Sequence, residues 1–135
     1  MRIPNIPMAG LVAVLLCVAA GRLTAQDAKV TQLLTKELAD IPGKEALMLT
    51  VVYPPGGADP VHRHNAHGFI YVLEGSVVMQ VKGQKPVTLT AGQTFYEGPD
   101  DIHVVGRSAS STQPAKLLVL LLKNKGAPVL VPVHE

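Results

Sequence analysis

The chain has 135 residues, of which 12 are basic, 10 acidic and one a cysteine, a length that suits one compact domain with one core and is too short for two. Arg2 and Arg22 lie in an N-terminal stretch with the marks of a cleavable leader, and every acidic residue lies beyond it. The remainder is therefore formally neutral and shows no electrostatic footprint for nucleic acid. Cys17 falls in the same stretch, so the rest of the chain has no disulfides, thiol nucleophiles or thiolate metal ligands, and histidine, carboxylate and tyrosine are left for site chemistry.

In chain order, that leader comes first: Arg2, a nearly unbroken apolar run from Leu11 to Ala20, then Thr24-Ala25-Gln26. The run is about half of the roughly 20 residues a transmembrane helix needs, and Ala25 offers a small residue for cleavage. Residues 1–25 thus read as a secretory signal peptide and residues 26–135 as a single domain, periplasmic or secreted, with no stable membrane anchor after cleavage. Cys17 follows Leu16 rather than a small residue and does not look like a lipoprotein acylation site.

Beyond the leader, valine and leucine runs are broken every eight to twelve residues by glycine or proline, the pattern of many short strands in a sandwich or barrel. Val30, Leu33, Leu34 and Leu38 stand at helical spacing, but Thr31 and Thr35 also suit an edge strand, and a strand over 30–40 with an irregular end at Ile41-Pro42-Gly43 is the preferred reading. A strand from Ala46 to Tyr53 stops at Pro54-Pro55-Gly56-Gly57. Phe69 to Leu73 and Ser76 to Lys82, separated by Glu74-Gly75, most simply form a hairpin. Further strands are predicted at Val87 to Thr90, Thr94 to Glu97, His103 to Arg107 and Leu117 to Lys123, with a tail from Gly126 to Glu135 as an irregular or edge segment. Met48 and Met79 read as core filler, Tyr71 and Tyr96 as packing residues, and Arg63 and His134 as solvent-facing.

Between the second strand and the hairpin lies HRHNAH, with three of the chain's five histidines at His62, His64 and His67. On an extended strand His62 and His64 project to the same side, where both imidazoles can grip one metal ion. His103 arrives from a later strand.

These residues carry a resemblance to the single-domain cupins, a family of small jelly-roll β-barrels. The first cupin motif is matched by Gly56, His62, His64 and Gly75, the second by Gly92, Pro99 and His103, in the right order and at closely matching spacing. The fold this implies is all-β, a small cupin-type jelly-roll β-barrel. The resemblance also implies a divalent metal (iron, manganese, nickel or zinc) held by His62, His64 and His103. One departure stands out: the position of the family's metal-binding glutamate is Gly68, which has no side chain. Three histidines plus water is the first expectation for the ligand set. His67, which needs a bulge or a loop conformation to reach inward, and Glu97, at the end of a strand that the second motif brings near His103, rank behind it as a fourth ligand. Glu97 could instead form a surface ion pair with Arg63 or Lys85.

Two classes of function follow. One is an exported metal-dependent enzyme on a small organic molecule, of the dioxygenase, isomerase or decarboxylase type that the resemblance implies, the ion acting as a Lewis acid or, if iron, binding dioxygen. The other is a non-catalytic module that binds or senses a small ligand or a metal. Aromatic residues make up 4% of the chain and give no sugar-stacking platform, and no glycine-rich phosphate loop anchors a nucleotide. Because cupins commonly dimerise by packing or exchanging edge strands, a homodimer is the expected assembly.

Overall fold

The runs of branched and aliphatic residues form ten strands and no helix across residues 27–134, the part of the chain that the structure, a computed structural model, describes. The proposed signal peptide lies outside the described residues. In chain order the strands are β1 (Lys29–Glu37), β2 (Lys44–Tyr53), β3 (His62–Arg63), β4 (Ala66–Glu74), β5 (Ser76–Val81), β6 (Val87–Thr90), β7 (Thr94–Glu97), β8 (His103–Ser108), β9 (Ala115–Asn124) and β10 (Val131–Pro132). They make two antiparallel five-stranded sheets, ordered β1-β2-β9-β4-β7 and β10-β3-β8-β5-β6. The all-β jelly-roll expectation holds.

The inner faces enclose one core of Leu47, Leu49, Tyr53, Ile70, Val72, Val77, Met79, Leu117, Val119 and Leu121. Alternation sets this up: along β4, Ala66, Gly68, Ile70 and Val72 are buried while His67, Phe69, Tyr71 and Leu73 face out, as the two-residue period of a strand requires. Met79 fills the core as expected. Met48 is half-buried on the outer face, and Tyr71 and Tyr96 are exposed rather than packed.

Residues 29–37 are an edge strand paired with β2, with a register shift between Gln32 and Leu34, so the helical reading of Val30 to Leu38 fails. The expected hairpin of Phe69–Leu73 with Ser76–Lys82 is also overturned, because β4 and β5 belong to different sheets. Gly75 turns the corner between them with φ of +71°, and a Cβ there would collide with the Pro114 carbonyl. A glycine that looked like a hairpin turn is a corner where the chain changes sheets. The tail does supply an edge segment, β10 pairing with β3.

Candidate metal centre

Two short elements of one sheet and one strand end of the other bring the polar residues inward. In β3, His62 stands in register with His103 of β8, and their rings lie 5.0 Å apart by centroid. His64 follows β3 directly, its ring edge-on to that of His62 at 4.7 Å. Asn65, with φ of 49°, then turns the chain into β4; asparagine is one of the few side chains that tolerates this region. The turn ends the histidine run, so His64 faces the interior and His67 the exterior.

From the opposite sheet, β7 contributes Glu97, which is in register with Gly68 of β4. A Cβ at Gly68 would meet Glu97 Cγ at 2.9 Å and Oε1 at 3.3 Å. The space the missing side chain would take is therefore filled by Glu97. Its carboxylate is 4% exposed, and the surface ion pair with Arg63 or Lys85 does not form: Oε1 is 2.9 Å from His64 Nε2 and Oε2 is 3.2 Å from His103 Nδ1.

The outer nitrogens of two histidines are tied to backbone. His62 Nδ1–H donates to the Pro60 carbonyl at 2.7 Å, and His64 Nδ1–H to the Val129 carbonyl at 2.5 Å. These bonds fix each ring and turn both Nε2 atoms to the centre, 3.2 Å apart, the outer-sphere arrangement that metal-binding histidines use. Two such lone pairs repel unless a proton or a cation lies between them. His103 Nδ1 is near Glu97 but out of line for a hydrogen bond, and both of its ring nitrogens are buried without a hydrogen-bond partner, a rare and costly condition. Among the described residues, His62, His64 and Glu97 form a group whose ligand atoms lie within 4.8 Å of one another. The nitrogen and oxygen donors, the facing Nε2 atoms and the orphaned nitrogens of His103 fit a divalent ion of the first transition row.

The protonation of the cluster follows from the same contacts. Burial by itself would raise the Glu97 carboxyl, but His103 and His64 outweigh it and hold the group far below the usual carboxylate range. Burial works against a charged His64, yet the hydrogen bond and charge of Glu97 prevail and raise its pKa. Burial lowers His62, assisted by the neighbouring histidines and opposed by the Pro60 carbonyl. Without metal, then, the cluster favours a protonated His64 paired with an ionised Glu97.

The structure thus brings together His62, His64, His103 and Glu97 and leaves His67 apart. The His67 ring is exposed on the outer face, stacked beside Tyr96, with Nδ1 2.8 Å from the tyrosine hydroxyl. Beside the cluster is a cavity of about 70 Å³. Its walls are mostly apolar, including Leu49, Ile70, Val119 and Leu121, and two further polar residues, Tyr53 and Asp59, also line it. Sequence reasoning did not single out these two. The signal for Asp59 is its place just before the histidine run, in the loop that joins β2 to β3.

Comparison with known proteins agrees with this architecture. The family described as Cupin domain matches residues 49–121, more than half of the chain. No curated protein matches it. Among solved structures, similarity extends to an oxalate oxidase in complex with the substrate analogue glycolate, at 24% identity and a TM-score of 0.61 over 78% of this chain and 55% of that one. It extends also to the polyketide cyclase RemF from Streptomyces resistomycificus, at 20% identity and a TM-score of 0.62 over 82% and 74%. The DMSP lyase DddQ from Ruegeria pomeroyi DSS-3 aligns at 23% identity and a TM-score of 0.57 over 65% and 43%. The chain spans about half the length of the oxidase and the lyase, and likeness at this level of identity is likeness of fold.

Proposed function

Because the chain belongs to the cupin family, we propose that His62, His64 and Glu97, with His103 beside them, hold a divalent metal ion that serves an enzymatic reaction on a small organic molecule. The observation that carries the reading is the pair of Nε2 atoms 3.2 Å apart, each ring locked from behind by a backbone carbonyl, facing a buried carboxylate. Glu97 takes the role that the family gives to a glutamate at the position of Gly68 on the adjacent strand β4, and Gly68 makes room for it. When bound, the ion supplies Lewis-acid or redox chemistry. The chain's own residues hold the site in shape: Pro60 and Val129 orient the imidazoles, Glu97 adds a negative charge, and the apolar walls limit water.

The solved relatives named for reactions on small molecules, an oxidase, a cyclase and a lyase, favour the same class here. A cavity of about 70 Å³ suits a ligand of a few heavy atoms beside the ion. The test is metal analysis of untagged protein. Stoichiometric metal is expected in the wild type and loss of it in the His62→Ala plus His64→Ala variant; no metal in the first, or retention in the second, sinks the reading.

The assembly proposed is a homodimer through the outer face of the β1-β2-β9-β4-β7 sheet. Pairing register lines up Leu34, Met48, Leu120, Phe69 and Tyr96 in one row across all five strands. A solvent-facing sheet normally alternates to polar residues, whereas this row has no charge to oppose a second copy of itself. In a two-fold interface each patch meets its own copy, and the opposite charges of Glu74 and Lys116, in register at its edge, complement one another across such an axis. Light scattering should give twice the chain mass, falling to one for Phe69→Glu. Export is proposed from residues 1–25, and mass spectrometry of the expressed protein should find them removed.

A further inference from the structure

The cavity has a second polar corner that metal binding leaves unused. Tyr53, the last residue of β2, is 1% exposed, and its hydroxyl donates to Asp59 Oδ2. The Asp59 backbone N–H donates to the Gly106 carbonyl at 2.8 Å, which pins the loop against β8. Gly106 marks how closely the groups converge: a Cβ there would stand 3.0 Å from Asp59 Oδ2 and 3.1 Å from both the Tyr53 hydroxyl and His103 Cε1. A side chain at residue 106 would press on all three groups, each of which would have to give by a few tenths of an ångström, so glycine lets the Tyr53–Asp59 pair lie close to His103. Burial first, and then the Asp59 charge, push the Tyr53 phenol far above its ordinary range, so it remains an O–H donor.

That donated bond uses a small part of what Asp59 can accept. A carboxylate has about four acceptor sites, and no second donor to the Asp59 side chain occurs among the described residues. Apart from Tyr53 and the cluster residues His62, His64, His103 and Glu97, the walls of the cavity are apolar side chains such as Leu49, Ile70, Met79 and Leu121, which have no donor to offer.

We propose that Asp59, held by Tyr53 and Gly106, selects the ligand: a small carboxylic acid carrying a hydroxyl next to the group held at the histidine–glutamate cluster, the hydroxyl donating to Asp59. This deepens the metal reading and rests on it for the other end of the ligand. A ligand without the hydroxyl displaces water from Asp59 and offers no donor in return, so it loses the full cost of an unpaired acceptor. With Glu97 and Asp59 ionised a divalent ion is already balanced, so a monoanion is tolerated here better than a dianion. Asp59 is the ligand-binding residue; Tyr53 and Gly106 are positioning residues.

The experiment is calorimetric titration of the protein with lactate, propionate and 2-fluoropropionate, once with manganese(II) and once with chelator. Propionate lacks the hydroxyl, and 2-fluoropropionate keeps an electronegative atom of similar size but has no proton to donate. Lactate should bind the wild type about tenfold more tightly than either analogue, the effect of one hydrogen bond to a charged group. The preference should shrink to about threefold or less in Asp59→Leu, with metal content unchanged. Equal affinity of lactate and 2-fluoropropionate for the wild type overturns the proposal without recourse to any variant. An undiminished preference in Asp59→Leu, or no binding of any of the acids, overturns it as well. If manganese never binds but an Asp59-dependent lactate preference persists, the metal reading falls and the role of Asp59 stands.

Discussion

Two neighbouring pairs on the same two strands, Gly68 with Glu97 and Phe69 with Tyr96, have opposite fates. The first points inward, where a glycine leaves the space that a buried carboxylate fills. The second points outward and puts two aromatic rings, 5.4 Å apart, on the solvent side. One residue of register separates a charged group in the interior from an aromatic patch on the exterior, the reverse of the usual apportioning. The difference teaches that the strand decides only direction. What each face holds is decided by the partner across the ladder.

The sharpest way to break the contrast is to remove the inward carboxylate. Glu97→Gln keeps shape and burial but removes the charge, and metal affinity measured against a competing chelator should fall by about 100-fold or more, the upper end of what even an outer-sphere partner is worth. Unchanged affinity would show that the histidines alone hold the ion. A swap sharpens it further. Gly68→Glu alone forces a Cβ to within 2.9 Å of Glu97 Cγ and should cost about 1–3 kcal/mol, seen as a lower melting temperature. Combined with Glu97→Gly, the same substitution should recover most of the stability and part of the metal affinity, because the carboxylate then reaches the same space from the other strand. If the double variant is no better than the single, the two positions are not interchangeable.

Much of the inward half was legible beforehand. The spacing of His62 and His64 and the later arrival of His103 place three imidazoles, and the gap at Gly68 was visible as an absence. What filled the gap was not decidable from spacing, because register between β4 and β7 is a long-range fact and Glu97 and His67 both lay near the gap. The hairpin expectation failed for a related reason: Glu74-Gly75 has turn chemistry, but the collision of any side chain at residue 75 with Pro114 involves a strand forty residues away. The outward half misled more. Tyr71 and Tyr96 read as packing residues because aromatic side chains in strands usually are, and nothing local to them reveals that the neighbouring surface is also apolar.

Acidity probes the inward pair without changing it. Glu97 has a depressed pKa in the folded chain, so its contribution to metal-free stability is present above the ordinary carboxylate range and is lost as pH falls below it. His64 has a raised pKa, so its contribution is full below its ordinary value of 6.5 and is lost as pH rises through the folded value. His62, lowered by burial, acts in the opposite sense near 6.5 and favours the less acidic side. Melting temperatures of metal-free wild type and Glu97→Gln, measured from pH 3 to 8, should therefore differ most between the carboxylate and histidine ranges and narrow towards both ends, without vanishing at pH 3. A constant difference would mean that the carboxylate contributes by packing alone. With metal present the dependence turns over: protons compete for His64, and affinity should fall as pH drops through its raised value.

The smallest effect belongs to the outward side. His67 is three residues from His64 in sequence but sits across the sheet from the cluster, its Nδ1 bound to the Tyr96 hydroxyl. His67→Ala should leave metal affinity unchanged and alter stability by no more than about 0.5 kcal/mol, as exposed substitutions do. Any loss of metal in that variant would mean that the ring reaches the site, either by its own movement or by a one-residue slip of β4. Such a slip would also turn Phe69 inward and Gly68 outward, so it would remove the proposed dimer face along with the metal site. Measuring both in the same variant therefore separates a flexible ligand from a shifted strand: metal lost with the dimer intact cannot come from register, and both lost together cannot come from a single imidazole.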